Sequence, residues 1–196
     1  MDLLDEAPLL RHPHYPLVAA YIARHGPADD SPTLCFDDGY ATIARHVETL
    51  PDLRTIVDIG CAWGVQQLFF EPYRYLGIDR EQACGFGTDR RLRAIPFFRG
   101  PARATCLVAS FPDAWRPEWN RPDSVFVASM SVGYRSPLPP PDVWLGCLGR
   151  MRGGYVRAHE EIQAAIRPLY GTATPLWEAD DPDMAALVYY ESPTGP

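Results

Sequence analysis

Apolar positions along the chain alternate between two spacings. From Asp38 to Leu50 the residues Tyr40, Ile43, Ala44, Val47 and Leu50 recur at helical intervals, and Pro51 closes the segment. An amphipathic helix is predicted there. Residues 55–60, Thr-Ile-Val-Asp-Ile-Gly, form a β-branched run that stops at glycine, and residues 64–71 return to helix-compatible composition. Strand, glycine turn and helix open a βαβ unit. The same alternation predicts strands over Tyr73–Asp79, Ile95–Phe98, Ser124–Val132 and Tyr155–His159. Between them, helices are predicted over 81–93 (interrupted by Gly85 and Gly87), a weaker one over Ala102–Ser110, and one running from the proline-dense loop at 137–141 to Arg152. Gly153-Gly154 is expected to end that last helix, and another is predicted over Glu160–Tyr170. Two final strand-like runs, Ala173–Glu178 and Met184–Glu191, flank Ala-Asp-Asp-Pro-Asp and predict a terminal hairpin.

These elements predict an α/β fold: a doubly wound, seven-stranded, mostly parallel sheet with a C-terminal antiparallel hairpin. The domain is expected over residues 38–196. Residues 1–37, rich in proline and histidine around a short helical pattern at Leu17–Arg24, read as an N-terminal extension packed on it. A length of 196 residues fits one domain, and 46% hydrophobic with 22% charged residues is ordinary globular usage rather than disorder.

Composition narrows the chemistry. All 18 basic residues are arginine, which excludes a lysine Schiff base, a P-loop lysine or a lysine general base. A net charge of -7 argues against a chain that holds nucleic acid by neutralising phosphates. The run Arg90, Arg91, Arg93, Arg99 and Arg103 is a local basic exception, either a site for an anionic group or a solvated face balanced by acids such as Asp89. Cys35, Cys61, Cys84, Cys106 and Cys147 are odd in number and form no CxxC pair, the usage of reduced thiols in a cytoplasmic protein. The histidines before residue 50 lack metal-ligand spacing, so no metal is expected. With an acidic start and no stretch of 18 apolar residues, neither a leader peptide nor a membrane span is expected.

The segment carrying the most chemistry is residues 57–64, Val-Asp-Ile-Gly-Cys-Ala-Trp-Gly. A loop between a buried strand and a helix needs small residues where backbone approaches a ligand, and Gly60, Ala62 and Gly64 supply them. Asp79, in Leu-Gly-Ile-Asp-Arg, ends the next strand, where a carboxylate can accept both hydroxyls of a ribose. A dinucleotide fingerprint would need a small residue at 65, which is Val65. The spacing therefore disfavours NAD and FAD.

Acid, any residue, Gly, any, small, any, Gly, then an acid ending the following strand, resembles the first two motifs of class I S-adenosylmethionine-dependent methyltransferases. The likeness extends to the order of elements over roughly residues 38–191. It implies S-adenosylmethionine as cofactor and a binding set of Asp58, Gly60, Cys61, Ala62, Trp63, Gly64, Asp79 and Arg80. Gly60 to Gly64 would cover the methionine part, Asp58 would support the loop and Asp79 would hold the ribose. Ala62 replaces the family's usual glycine, and Trp63 is a bulky neighbour.

The implied activity is methyl transfer to a small-molecule acceptor through oxygen or nitrogen. The alternative is a non-catalytic binding or scaffold module of the same fold. The acceptor is expected beyond the fourth strand, at Ser129-Met130-Ser131-Val132-Gly133-Tyr134-Arg135. No Asn/Asp-Pro-Pro-Tyr motif stands there, which counts against amines of nucleic-acid bases. Tyr134 and Arg135 either orient the acceptor or are ordinary loop residues. His159, ending the fifth strand before Glu160 and Glu161, is either a general base for a hydroxyl acceptor or a cap of the next helix. Prolines at 111–122 and 137–141 would stiffen the rim of an acceptor pocket.

Overall fold

The computed structural model describes residues 39–61, 65–70, 72–79, 104–133, 137–177 and 185–192. The predicted N-terminal extension, the helix over 81–93, the strand over Ile95–Phe98 and the arginine run fall outside these residues. Within them lie helix α1 (Tyr40–Val47), strand β1 (Thr55–Ile59), a 3-10 helix at Val65–Phe70, β2 (Arg74–Asp79), β3 (Ala104–Val108) and β4 (Ser124–Ser129). Then follow α2 (Pro141–Leu148), β5 (Gly153–Ala158), α3 (Glu160–Ile166), β6 (Thr172–Trp177) and β7 (Ala186–Glu191).

The strands join in one sheet of order β3-β2-β1-β4-β5-β7-β6. Strands β1 to β5 pair parallel, and β7 runs antiparallel to both β5 and β6. The expected terminal antiparallel pair is therefore present. Chain order reverses between β1 and β4, and the carboxyl ends of strands at such a switch point are where open α/β sheets usually bind ligands.

Burial on both faces explains why the strands read as continuous apolar runs. Ile56, Val125, Val127, Tyr155, Leu187 and Tyr189 point to the face covered by Tyr40, Ile43 and Val47 of α1. Their neighbours Val57, Phe126, Val156, Val188 and Tyr190 point to the face covered by Trp144 and Leu148 of α2 and by Ile162 and Ile166 of α3. Alternation with period two thus divides one run between two cores.

Three predicted elements are corrected. Residues 104–108 lie inside the stretch expected to be helical but form strand β3, pairing with β2 from Tyr75↔Ala104 to Asp79↔Val108. A short segment carrying Thr105 and Val108 gains a ladder on the open edge of β2, which outweighs a weak helical pattern. Residues 65–70 are helical but of the tighter 3-10 kind. Little chain is available between β1 and β2, and a 3-10 helix advances about 2 Å per residue against 1.5 Å for an α-helix. Finally, Gly153 and Gly154 begin β5 rather than ending a helix; α2 stops at Leu148. Gly154 stands opposite Phe126, and a Cβ there would lie 2.0 Å from the Phe126 ring. Gly154 makes room for that ring, and Gly153 for the β7 backbone, where a Cβ would lie 2.3 Å from the Tyr190 carbonyl oxygen.

Candidate active site at the carboxyl ends of β1, β2 and β4

The chain leaves β1 through Gly60 at φ +78°, a left-handed conformation that disfavours residues with a side chain. Its N–H donates to the Ile78 carbonyl at 2.7 Å and the Cys61 N–H to the same oxygen at 3.3 Å, so the loop starts against β2. A Cβ on Gly60 would fall 2.2 Å from Cβ of Ser131. Ser131 in turn donates its hydroxyl to the Ile59 carbonyl at 2.6 Å. The chain reaches that contact through Met130, also left-handed at φ +47°, whose N–H bonds to the Arg157 carbonyl at 2.9 Å. The segment after β4, read from sequence as the acceptor side, is fastened directly to the glycine turn. Ser131 carried no sequence signal for this, because its partners lie on a strand far away in sequence.

Asp58 is fully buried on the α1 face of β1. Its carboxylate accepts hydrogen bonds from the Tyr40 hydroxyl at 3.0 and 3.2 Å and from the Tyr75 hydroxyl at 2.5 Å. A buried carboxylate is tolerable only with such donors. Tyr40 reads in the sequence as one more apolar position of an amphipathic helix, and Tyr75 as one of a buried strand. Their hydroxyls turn them into the clamp on Asp58. Asp79, half-buried, ends β2 one strand away from the glycine turn, and its carbonyl accepts from the Ala109 N–H at 2.7 Å.

Beyond the turn, Gln66 is 2% exposed and donates Nε2–H to the Cys61 carbonyl at 3.1 Å. Its Oε1 is buried and accepts no hydrogen bond. Ala62, Trp63, Gly64, Arg80, Tyr134 and Arg135, named from sequence, lie outside the described residues.

His159 follows β5 and stands at the N-cap of α3, half-buried. Its carbonyl accepts from the N–H groups of Ile162 and Gln163, both at 3.1 Å, while its side chain makes no capping bond to the helix. The residue occupies the cap by backbone alone. Glu160, the next residue, pairs with exposed Arg167 at 3.2 Å. With β4 between β1 and β5, His159 sits about 10 Å across the sheet from the glycine turn. The prolines at 139–141 line an open apolar groove of about 270 Å³ with Leu138, Trp144, Ala165, Ile166 and Leu169. That groove lies between the start of α2 and the end of α3, and the ends of β1 and β2 contribute nothing to it.

Among the described residues, no group of three or more His, Cys, Asp or Glu gathers as a metal site would require. No helix among them is long and apolar enough to cross a membrane.

No protein-family model matches the sequence, and neither does any curated protein. Solved structures do match its fold. EvdMO1 aligns with a TM-score of 0.56 at 15% identity over 78% of this chain and 41% of its own. The human methyltransferase 10 domain containing protein aligns with a TM-score of 0.52 at 10% identity, over 90% of this chain and 94% of its own. The bifunctional kinase-methyltransferase WbdD aligns with a TM-score of 0.51 at 15% identity, over 87% of this chain and 41% of its own. The chain thus spans about two fifths of EvdMO1 and of WbdD, and nearly all of the human protein. Its fold is that of the class I S-adenosylmethionine-dependent methyltransferases.

Proposed function

We propose that the chain is an S-adenosylmethionine-dependent methyltransferase acting on a small molecule through oxygen or nitrogen, with the crevice between β1 and β4 as its active site. The observation that carries this reading is the left-handed Gly60 turn at the point where sheet order reverses, with Asp79 ending the neighbouring strand. A doubly wound arrangement fits the same facts, since α1 covers one face and α2 with α3 the other.

The residues present suit an adenosyl amino-acid cofactor. Gly60 offers bare backbone at the turn, and Asp79 offers a carboxylate for the ribose hydroxyls. Gln66 leaves a buried acceptor beside the loop that would cover the methionine part. In the proposed assignment, Cys61, Ala62, Trp63 and Gly64 continue that cover and Arg80 flanks Asp79. Asp58 supports the turn from beneath while Tyr40 and Tyr75 occupy its oxygens. Once bound, the cofactor supplies a methyl group on a cationic sulfur. The protein then has chiefly to orient the acceptor and exclude water. For a hydroxyl acceptor, His159 is the proposed base and Tyr134 the proposed orienting group.

Calorimetric titration with S-adenosylhomocysteine tests the reading. Saturable binding is expected, and Asp79→Ala should weaken it by about 1–3 kcal/mol, the scale of hydrogen bonds to a charged group. No heat of binding at millimolar ligand would overturn the enzyme reading and leave a non-catalytic module of the same fold.

A further inference from the structure

The turn after β1 and the segment after β4 are joined at one peptide unit. Its N–H, at Gly60, donates to the Ile78 carbonyl of β2 at 2.7 Å, and its C=O, at Ile59, accepts the Ser131 hydroxyl at 2.6 Å. A peptide unit is planar and stiff, so a tilt that strains one of these bonds strains the other. Backbone on both sides of the link is left-handed, Gly60 at φ +78° and Met130 at φ +47°. A left-handed methionine persists only where surrounding contacts hold it. Here the Met130 N–H is held by the Arg157 carbonyl at 2.9 Å, and the next residue is held by the Ile59 carbonyl. The missing side chain of Gly60 lets the two chains meet, since a Cβ there would lie 2.2 Å from Cβ of Ser131. In register, β1 and β4 pair from Thr55↔Ser124 to Asp58↔Val127. Past that last pair, Ser131 joins the two chains through one side-chain oxygen.

We propose that Ser131 is a positioning residue, its hydroxyl carrying the state of the cofactor turn to the acceptor segment so that an occupied cofactor site fixes the backbone at 130–133. The inference rests on the cofactor reading above and adds to it a residue that touches neither reactant. A ligand laid against the bare backbone at Gly60 restrains the 59–60 peptide plane. With that plane restrained, the Ile59 carbonyl is a fixed partner for Ser131, and the fixed Ser131 keeps its neighbour Met130 on the Arg157 carbonyl. Without the hydroxyl, β2 still holds the plane from one end, and the acceptor segment no longer follows it. The coupling is reciprocal by linkage: whatever steadies the segment also steadies the turn.

The test follows two backbone amides by NMR hydrogen exchange on the full chain, with and without saturating S-adenosylhomocysteine. The Gly60 N–H reports the turn and the Met130 N–H the segment, each through its bond to a neighbouring strand. Ser131→Ala keeps Cβ, and with it the packing on Gly60, and removes only the oxygen. In the parent, the ligand should slow both amides by about tenfold or more, the usual scale of coupling between sites. In Ser131→Ala, Gly60 should slow as in the parent, while Met130 should stay within about twofold of its unliganded rate. A residue that merely braces the fold would raise the Met130 rate by one factor with and without ligand and leave the ligand-induced slowing intact. That outcome would overturn the proposal, as would a Met130 amide that ignores the ligand in the parent. Complete loss of binding in Ser131→Ala would overturn it too, because Ser131 would then be needed for the cofactor site or the fold itself. If the parent binds no S-adenosylhomocysteine, the cofactor reading fails and this proposal with it, a result distinct from a parent that binds while Met130 stays unmoved.

Discussion

Two buried polar regions sit on one sheet and are built on different terms. On the α2 and α3 side, Gln163 ties β5, β7 and its own helix together with every amide function engaged. Trp144 likewise donates to the Tyr170 hydroxyl at 2.8 Å, and burial pushes that phenol well above its ordinary value. At the carboxyl ends of β1 and β4, polar groups are also buried, but Gly60 and Met130 take left-handed backbone and Gln66 Oε1 is left without a partner. On the α2 and α3 side Gln163 and Trp144 are closed by the chain itself, although Trp115 Nε1 is buried there without a partner. In the proposed site a buried acceptor and left-handed backbone come together, as strain and open hydrogen bonds tend to do at functional sites.

The largest effect that would break this contrast is on the closed side. Gln163→Leu leaves the Tyr190 hydroxyl only its 3.4 Å bond to the backbone carbonyl of residue 163, removes a donor from two strand carbonyls and should cost about 2–3 kcal/mol in urea unfolding, with no change in ligand affinity. A loss under about 0.5 kcal/mol would mean the network is incidental. Next comes the Asp58 clamp. Tyr40→Phe and Tyr75→Phe should each lower stability by about 1–2 kcal/mol, the scale of bonds to a carboxylate. The double variant should cost more than either single one, because both hydroxyls donate to one buried carboxylate. Losses under about 0.5 kcal/mol in both single variants would show that the clamp is incidental.

A smaller, pH-dependent effect belongs to His46, whose Nδ1 lies 2.9 Å from the Tyr155 hydroxyl and whose ring packs on Tyr189. Burial holds its pKa below the ordinary 6.5. The unfolded chain therefore takes up a proton first as pH falls, so this contribution is complete above pH 6.5 and declines below it. His46→Gln should flatten the acid limb of a plot of unfolding midpoint against pH, and an unchanged limb would assign that limb to other groups. The tyrosines act at the other end: burial raises Tyr155 and Tyr189 above 10, so their share of stability is lost as pH rises past that value. Smallest of all is the stability change in Gln66→Met. One amide bond is lost and one unsatisfied acceptor relieved, so the unfolding free energy should move by less than about 1 kcal/mol. A large loss would place Gln66 with the scaffold and erase the contrast.

How far the sequence revealed these regions follows from the range of the interactions. Strands β1, β2, β4, β5 and β7 were legible because burial on both faces writes a continuous apolar run into consecutive residues. Gly60 was legible because a turn at a strand end needs glycine locally. Strand β3 was misread because an edge strand exposes part of its length, as at Thr105, and its short pattern also suits a helix. Gly153 and Gly154 were misread because their reason for being glycine, the Phe126 ring and the β7 backbone, lies outside their own segment.

By itself, then, the amino-acid sequence determined the alternation of elements, the glycine turn, the carboxylates at 58 and 79 and the absence of lysine chemistry. All of these are properties of one residue or of a short window. Only the tertiary structure decided that Asp58 is held by Tyr40 and Tyr75, that Ser131 fastens the β4 segment to Gly60, and that one buried glutamine is saturated while another is not. Hydrogen-bond satisfaction is a property of neighbours in space, and the partners here come from strands and helices that chain order keeps far apart.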